Sequence, residues 1–185
     1  MLQLKPRIRW LVPVVIAALA MTVAVETAVL GVVVSKSGKA VTAVKAVTET
    51  TLATTTSADW VNIPGMTTTI NVPANQRALL IITFSAETVC YPDLYSRSGV
   101  CYVRVLVDGT PSTPSEVIFD GTFETYHDGP IHLQAAAEVN SMQFVAGPLG
   151  SGTHTVTVQW LVIDAATDTI FRMQERTLTI LRSRV

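Results

Sequence analysis

Hydrophobic and polar residues follow two different patterns along this chain of 185 residues. Near the N-terminus there is one long apolar run, whereas from Trp60 onward apolar and polar residues alternate. A period of two is typical of β-strands that bury one face. The clearest example is Thr153–Ile163, where one face is apolar and the other is polar. Its apolar positions are Val156, Val158, Trp160 and Val162, and its polar positions are Thr155, Thr157 and Gln159.

Further strand signals recur at short intervals between turn residues. The predicted strands are Thr67–Val72, Ala78–Ala86, Cys101–Val107, Ser115–Phe119, Ile131–Val139, Ser141–Val145, Thr153–Ile163, Ile170–Met173 and Thr177–Leu181. On Ile131–Val139 the pattern places Ala137 and Val139 on the inward face. Asp108-Gly109 predicts a tight turn with positive φ. This part of the chain therefore contains eight or nine strands and no helix.

The strand pattern predicts the fold class. Strands without crossover helices pair antiparallel, and strands with one apolar face stack as two sheets. We predict an all-β antiparallel β-sandwich, with the strand order of a jelly roll, over residues 60–185. An immunoglobulin-type sandwich is the alternative. Its cysteine pair normally spans a much longer stretch of sequence that contains a tryptophan.

The N-terminal run predicts export and one hydrophobic helix. Lys5, Arg7 and Arg9 precede Leu11–Val34, which is apolar apart from two threonines and Glu26. Residues 1–34 are either a signal peptide, with a cleavage pattern at Ala18-Leu19-Ala20, or an uncut transmembrane anchor. Glu26 near mid-span disfavours the anchor. Both alternatives place residues 35–185 outside the cytoplasm, secreted or anchored, with membrane contact only through the N-terminal segment.

Residues 35–59 have the composition of a linker. They consist almost entirely of Ser, Thr, Ala, Val, Lys and Gly, with Val41, Val44 and Val47 at a spacing that would also suit a short helix. The Thr-rich part has little apolar surface to offset the entropy of ordering. We therefore predict a flexible stalk.

Cys90 and Cys101 are the only cysteines. In an exported chain such a pair indicates a disulfide. Cys90 shares the strand face of the apolar residues before it, and Cys101 shares the face of Val103, so both sulfur atoms are expected to point inward. No metal-ligand pattern accompanies the pair, and we predict neither a metal nor another cofactor.

Charge restricts the partners of the predicted sandwich. From Trp60 onward there are 7 arginines and 11 carboxylates, which gives a net charge of −4 (7 − 11). Nucleic acid is therefore excluded as a partner, because phosphate binding requires clustered cations. No catalytic motif is present either, and we predict that the protein is not an enzyme.

A candidate ligand loop spans Asp120–Gly129. Carboxylates next to aromatic rings suit either a cation or a sugar, although an ordinary solvated acidic loop has the same composition. Its candidate residues are Asp120, Phe123, Glu124, Tyr126 and Asp128. A second candidate contact surface is formed by Tyr91, Tyr95 and Tyr102. His154 is interpreted as a residue at the edge of the sandwich rather than as a ligand.

The strings Phe84-Ser85-Ala86-Glu87, Cys101–Gly109, Leu149–Trp160 and Arg176–Ile180 resemble uncharacterised exported bacterial β-sandwich proteins. The resemblance covers roughly Trp60 to Val185. More distantly, the layout is similar to the jelly roll of tumour-necrosis-factor and complement-type head domains, which implies a homo-trimer. The expected function is that of an exported, non-enzymatic structural or interaction module with a protein or glycan partner. The alternative is a carbohydrate-binding module that uses the 120–129 loop.

Overall fold

The computed structural model describes residues 40–91, 98–123, 137–164 and 169–185. The described residues belong to one compact unit, Gly38–Val185. The predicted N-terminal helix therefore lies outside the described residues and stays a prediction. In the described ranges there is no helix that is long and apolar enough to cross a membrane.

Ten strands in the described part of the chain form two antiparallel sheets. Sheet A contains β1 (Val41–Glu49), β2 (Ala53–Thr55), β4 (Ala78–Tyr91), β8 (Glu138–Leu149) and β10 (Ile170–Arg184). Its order is β1-β10-β4-β8, and β2 also pairs with β10. Sheet B contains β3 (Val61–Val72), β5 (Ser98–Val107), β6 (Thr110–Pro111), β7 (Val117–Phe123) and β9 (Gly152–Asp164). Its order is β3-β9-β5-β6, with β7 also paired to β5. The predicted all-β, two-sheet architecture is confirmed.

The core lies between the sheets, and the alternation in the sequence determines which residues enter it. The predicted inward faces of β4, β5 and β9 are all buried. Their side chains are Leu80, Ile82, Phe84 and Ala86; Cys101, Val103, Val105 and Val107; and Val156, Val158, Trp160 and Val162. Aromatic rings pack across the two sheets, with centroids 5.3 Å apart for Phe84 and Phe119 and 5.5 Å apart for Trp160 and Phe171. Such tilted ring pairs add to the stabilisation from burial.

Cys90 and Cys101 form the predicted disulfide, with their Cα atoms 6.0 Å apart. Both residues are buried, as their strand parity predicted. Cys90 lies on β4 of sheet A and Cys101 on β5 of sheet B. The bond is therefore short in sequence and yet joins the two sheets at one end of the sandwich.

The prediction of a linker was wrong for residues 41–55. Val41–Glu49 is strand β1, which pairs with β10 from Val41↔Ser183 to Glu49↔Arg176, and Ala53–Thr55 is β2, which pairs with the same strand. The helix considered for the valines was also wrong. β-Branched residues favour extended backbone, and the ladder to β10, more than a hundred residues away in sequence, provides the hydrogen bonds that offset the ordering entropy.

Two predicted strand details also differ from the structure. Val139, which was expected to face inward, lies on β8 with 80% of its surface exposed, because the inward residue that fixes the parity of β8 is Phe144. The two predicted C-terminal strands are one strand, β10. An irregularity between Gln174 and Thr177 shifts its register against β4, and this break in the alternation made one strand resemble two.

The Asp108-Gly109 turn joins β5 to β6, and both residues have positive φ, 52° and 79°. Glycine adopts this conformation without steric cost, and aspartate is among the residues that tolerate it. The predicted turn is therefore confirmed, and it sets the carboxylate of Asp108 beside the start of β9.

We predict that Cys90→Ser lowers the free energy of unfolding by about 3 kcal/mol, because the loop that the bond closes regains its entropy in the unfolded chain. Urea unfolding of the full-length protein measures the change. As a control, a reducing agent should lower the wild-type midpoint and leave that of the variant unchanged. A wild-type midpoint that does not respond to reduction would contradict the prediction.

Candidate functional site

A row of large side chains crosses the outer face of sheet B. Leu161 on β9 pairs with Tyr102 on β5, and Tyr102 pairs with Ile118 on β7. Trp60 directly precedes β3. Extending the β3–β9 register by one residue beyond Val61 places Trp60 next to Leu161. We call these four residues the Trp60 row. Leu161 is covered, Trp60 and Tyr102 are half-buried, and Ile118 is 53% exposed. The row therefore offers apolar and aromatic surface to solvent.

A second row, which we call the polar row, lies one step further along the same strands. It consists of Asn62, Gln159 and Arg104, which are paired across β3, β9 and β5. Arg104 Nε donates to Gln159 Oε1 at 2.9 Å, and Gln159 Nε2 donates to Asn62 Oδ1 at 2.8 Å. This chain of hydrogen bonds holds three planar polar groups in a fixed orientation.

Arg104 joins the polar row to the Trp60 row. Its guanidinium carbon lies 4.3 Å from the centroid of the Trp60 ring. A guanidinium over an indole face is attracted by the ring quadrupole, and the contact helps to fix the position of the guanidinium. The two rows thus form one surface with apolar area on one side and hydrogen-bonding groups on the other.

Most of this surface follows from strand parity. Since Val103 and Val105 point inward, Tyr102 and Arg104 must point outward, and the sequence predicts Gln159 outward on β9 in the same way. Only Tyr102 was predicted from the sequence as a contact residue, and the other six members of the two rows were missed as site residues. Trp60 was the hardest of them to find. It stands at the end of the predicted linker, and nothing local indicates that its partner is Arg104.

The predicted ligand loop is only partly within the described residues. Glu124, Tyr126 and Asp128 lie outside them, and so does the side chain of Phe123, the last residue of β7. Asp120 was expected in the loop but lies inside β7, paired with Cys101. In the described ranges, no three His, Cys, Asp or Glu side chains come together as metal ligands.

The predicted tyrosine surface is not formed by the two tyrosines that the structure describes. Tyr91 follows inward-facing Cys90 and lies on the outer side of sheet A, whereas Tyr102 lies on the outer side of sheet B. Tyr95 lies outside the described residues. Tyr102 instead covers part of the outer face of sheet B, beside Leu161.

Arg176 is a buried side chain that the sequence pattern did not single out. It is 1% exposed and lines a cleft of about 320 Å³ together with Glu49 and Gly65. Its Nη1 donates to Thr51 O at 2.8 Å and Met173 O at 2.9 Å. Burial lowers the pKa of Arg176, while the Glu49 carboxylate opposes this shift. Because main-chain carbonyls take up the Nη1 donors, we interpret Arg176 as a structural clamp.

The side chain of His154 forms hydrogen bonds to two turns at one end of sheet B, the turn with Asp108 and the turn with Gly150. Its Nδ1 lies 2.6 Å from Asp108 Oδ2, and its Nε2 lies 2.9 Å from Gly150 O. The other oxygen of Asp108 accepts from Thr155 N at 2.8 Å. The hydrogen bond with Asp108 raises the pKa of His154, and the same bond lowers the pKa of Asp108. This agrees with the interpretation of His154 as an edge residue.

Comparisons with known proteins give only distant similarities. No protein-family model and no curated protein matches the sequence. Among solved structures, the fold is similar to "EclA C-terminal domain; sugar-binding protein", with 14% identity, a TM-score of 0.36, and coverage of 70% of this chain and 77% of that chain. A family 35 carbohydrate binding module from Clostridium thermocellum is 16% identical, with a TM-score of 0.31 and coverage of 74% of this chain and 97% of that chain. The Eiger TNF from S. frugiperda is 11% identical, with a TM-score of 0.32 and coverage of 75% of this chain and 92% of that chain.

Similarity at this level does not identify a function. The resemblance to exported bacterial β-sandwich proteins stays a prediction.

We predict that His154 makes folding stability depend on pH. Because its pKa is raised above 6.5, its stabilisation is complete below that value and is lost as the pH rises through the raised pKa. The pKa of Asp108 is lowered below 3.8, so its stabilisation is present above that value and is lost as the pH falls through the lowered pKa.

Urea unfolding of wild type and His154→Gln at about pH 5.5 and about pH 9, conditions on either side of the ordinary histidine pKa, tests this. The wild type should exceed the variant by more at the lower pH. An equal difference at both pH values would contradict the prediction.

Proposed function

We propose that this protein is an exported glycan-binding module that holds its ligand on the outer face of sheet B. The single observation that carries the proposal is the combined surface of the Trp60 row and the polar row. Sugar rings have apolar C–H faces and polar hydroxyl edges, and the Trp60 row beside the polar row offers a partner for each. Binding sites typically combine apolar surface with a few oriented polar groups in this way.

The strand order supports a jelly roll as the scaffold. β1 lies beside the last strand, β10, and the central strands β4 and β5 lie in different sheets. The order β1-β10-β4-β8 facing β3-β9-β5-β7 is that of two interleaved Greek keys. The local disulfide between β4 and β5 fits this order better than an immunoglobulin-type sandwich, in which the bridge spans a long stretch of sequence.

Export and the absence of catalysis belong to the same proposal. A buried disulfide is typical of proteins that fold in an oxidising compartment, which agrees with the basic, apolar N-terminal segment. The proposed role is recognition rather than chemistry. The proposed site differs from the 120–129 loop of the sequence-based alternative, and that loop stays an additional candidate contact.

A second candidate is self-association into the homo-trimer that the distant resemblance implies. Ile118 and Ile163 on the face of sheet B are 53% and 54% exposed, and exposed apolar surface often marks interfaces. Light scattering on the full-length protein separates the candidates, because a trimer formed through this face would leave no room there for a glycan.

We predict that Tyr102→Ala and Trp60→Ala weaken glycan binding by roughly tenfold or more, since aromatic anchors commonly dominate binding energy. A glycan array with full-length protein identifies ligands, and calorimetry on the best ligand gives the affinities. Tyr91→Ala, which removes an aromatic ring from the other sheet, is the matched control and should bind like the wild type. No glycan bound by the wild type, or an equal loss with Tyr91→Ala, would contradict the proposal.

A further inference from the structure

We infer that the preferred glycan carries a carboxylate, which pairs with the guanidinium of Arg104. The inference rests on the proposed function and specifies its ligand class as sugars such as uronic or sialic acids. It starts from the composition of the surface. Among the seven side chains of the Trp60 row and the polar row, Arg104 is the only charged one.

The surroundings of Arg104 leave its charge without a counter-ion. It forms no ion pair in the part of the chain that the structure describes. Glu116 directly precedes β7, and extending the β5–β7 register by one residue places it opposite Arg104. The two residues nevertheless form no ion pair. Arg104 is half-buried, so part of its hydration is lost. A half-buried cation without a counter-ion loses hydration that its neutral contacts replace only in part, and an anionic ligand offsets that cost.

The geometry of Arg104 suits a planar anion. Its Nε is already bound to Gln159 Oε1, and its guanidinium lies over the Trp60 ring. Its two Nη groups have no hydrogen-bond partner among the described residues. A planar guanidinium held in place at one end, with its terminal donors available, matches the two oxygens of a carboxylate in a bidentate pair.

The charge of the whole domain makes this site selective. The net charge of −4 from Trp60 onward (7 − 11) repels anions in general, so a carboxylated sugar gains where Arg104 faces it. Neutral contacts with Tyr102 and Gln159 would add the recognition of the sugar ring. An isolated carboxylate without the ring should therefore bind poorly.

The test compares acidic oligosaccharides with neutral counterparts that differ only in charge. Full-length protein is titrated with oligogalacturonate, hyaluronan fragments and sialyllactose, and with the methyl ester of each. We expect at least one acidic form to bind tenfold or more tightly than its ester, with the difference shrinking at high salt. Free galacturonic acid and acetate serve as small-anion controls.

Variants assign the effect to Arg104. Arg104→Gln should abolish the preference for the acid over the ester while the ester still binds, and Arg104→Lys should retain part of it. Arg172→Gln, which removes an arginine from sheet A, should keep the full preference. The comparison of acid and ester on the wild type needs no variant, so a folding defect in Arg104→Gln does not leave the inference untested.

The outcomes separate the two proposals. If esters or neutral glycans bind as tightly as the acids, or if Arg104→Gln keeps the preference, the carboxylate inference is overturned while glycan binding stands. If no glycan of either kind binds, the proposed function fails and the inference fails with it.

Discussion

The pairing of β5 with β9 is the constraint on which the rest of the structure depends. In this register Val103 and Val105 face the core opposite Trp160 and Val158, and Tyr102 and Arg104 face outward beside Leu161 and Gln159. A slip by one residue would exchange the two faces of a strand. It would bury an arginine and expose core valines, so the hydrophobic core selects the register. The same selection places the aromatic and polar rows on one surface, and the candidate site is therefore a consequence of core packing.

The two sheets are joined at more than one level. Burial of side chains between them supplies the general attraction, while the disulfide joins the end of β4 to the first part of β5. Elsewhere Arg176 of sheet A donates to Thr51 O, and its Nη2 lies 3.5 Å from Pro64 O of sheet B. These contacts support sheet B from the side of the core.

Features set by alternation could be predicted from the sequence, and features set by distant partners could not. The inward faces of β4, β5 and β9, the Asp108-Gly109 turn and the disulfide depend on local spacing. Strand β1 forms because it pairs with the distant strand β10. Its own composition, without that partner, is typical of a linker. Trp60 belongs to the site because it contacts Arg104, a residue on another strand. Whether Val139 faces inward or outward depended on the direction of Phe144 on the same strand, β8. Residues 124–136, which hold most of the predicted ligand loop, lie outside the described ranges.

The central claim is that sheet B, and Arg104 on it, forms the ligand surface. The most direct measurement is an NMR titration of isotope-labelled full-length protein with the carboxylated oligosaccharide that binds best. The account predicts the largest shift changes for the Arg104 side-chain Nε–H and the Trp60 indole N–H, with Tyr91 and Arg172 on sheet A unchanged. Changes confined to sheet A, or saturating binding that leaves Arg104 and Trp60 unchanged, would contradict it.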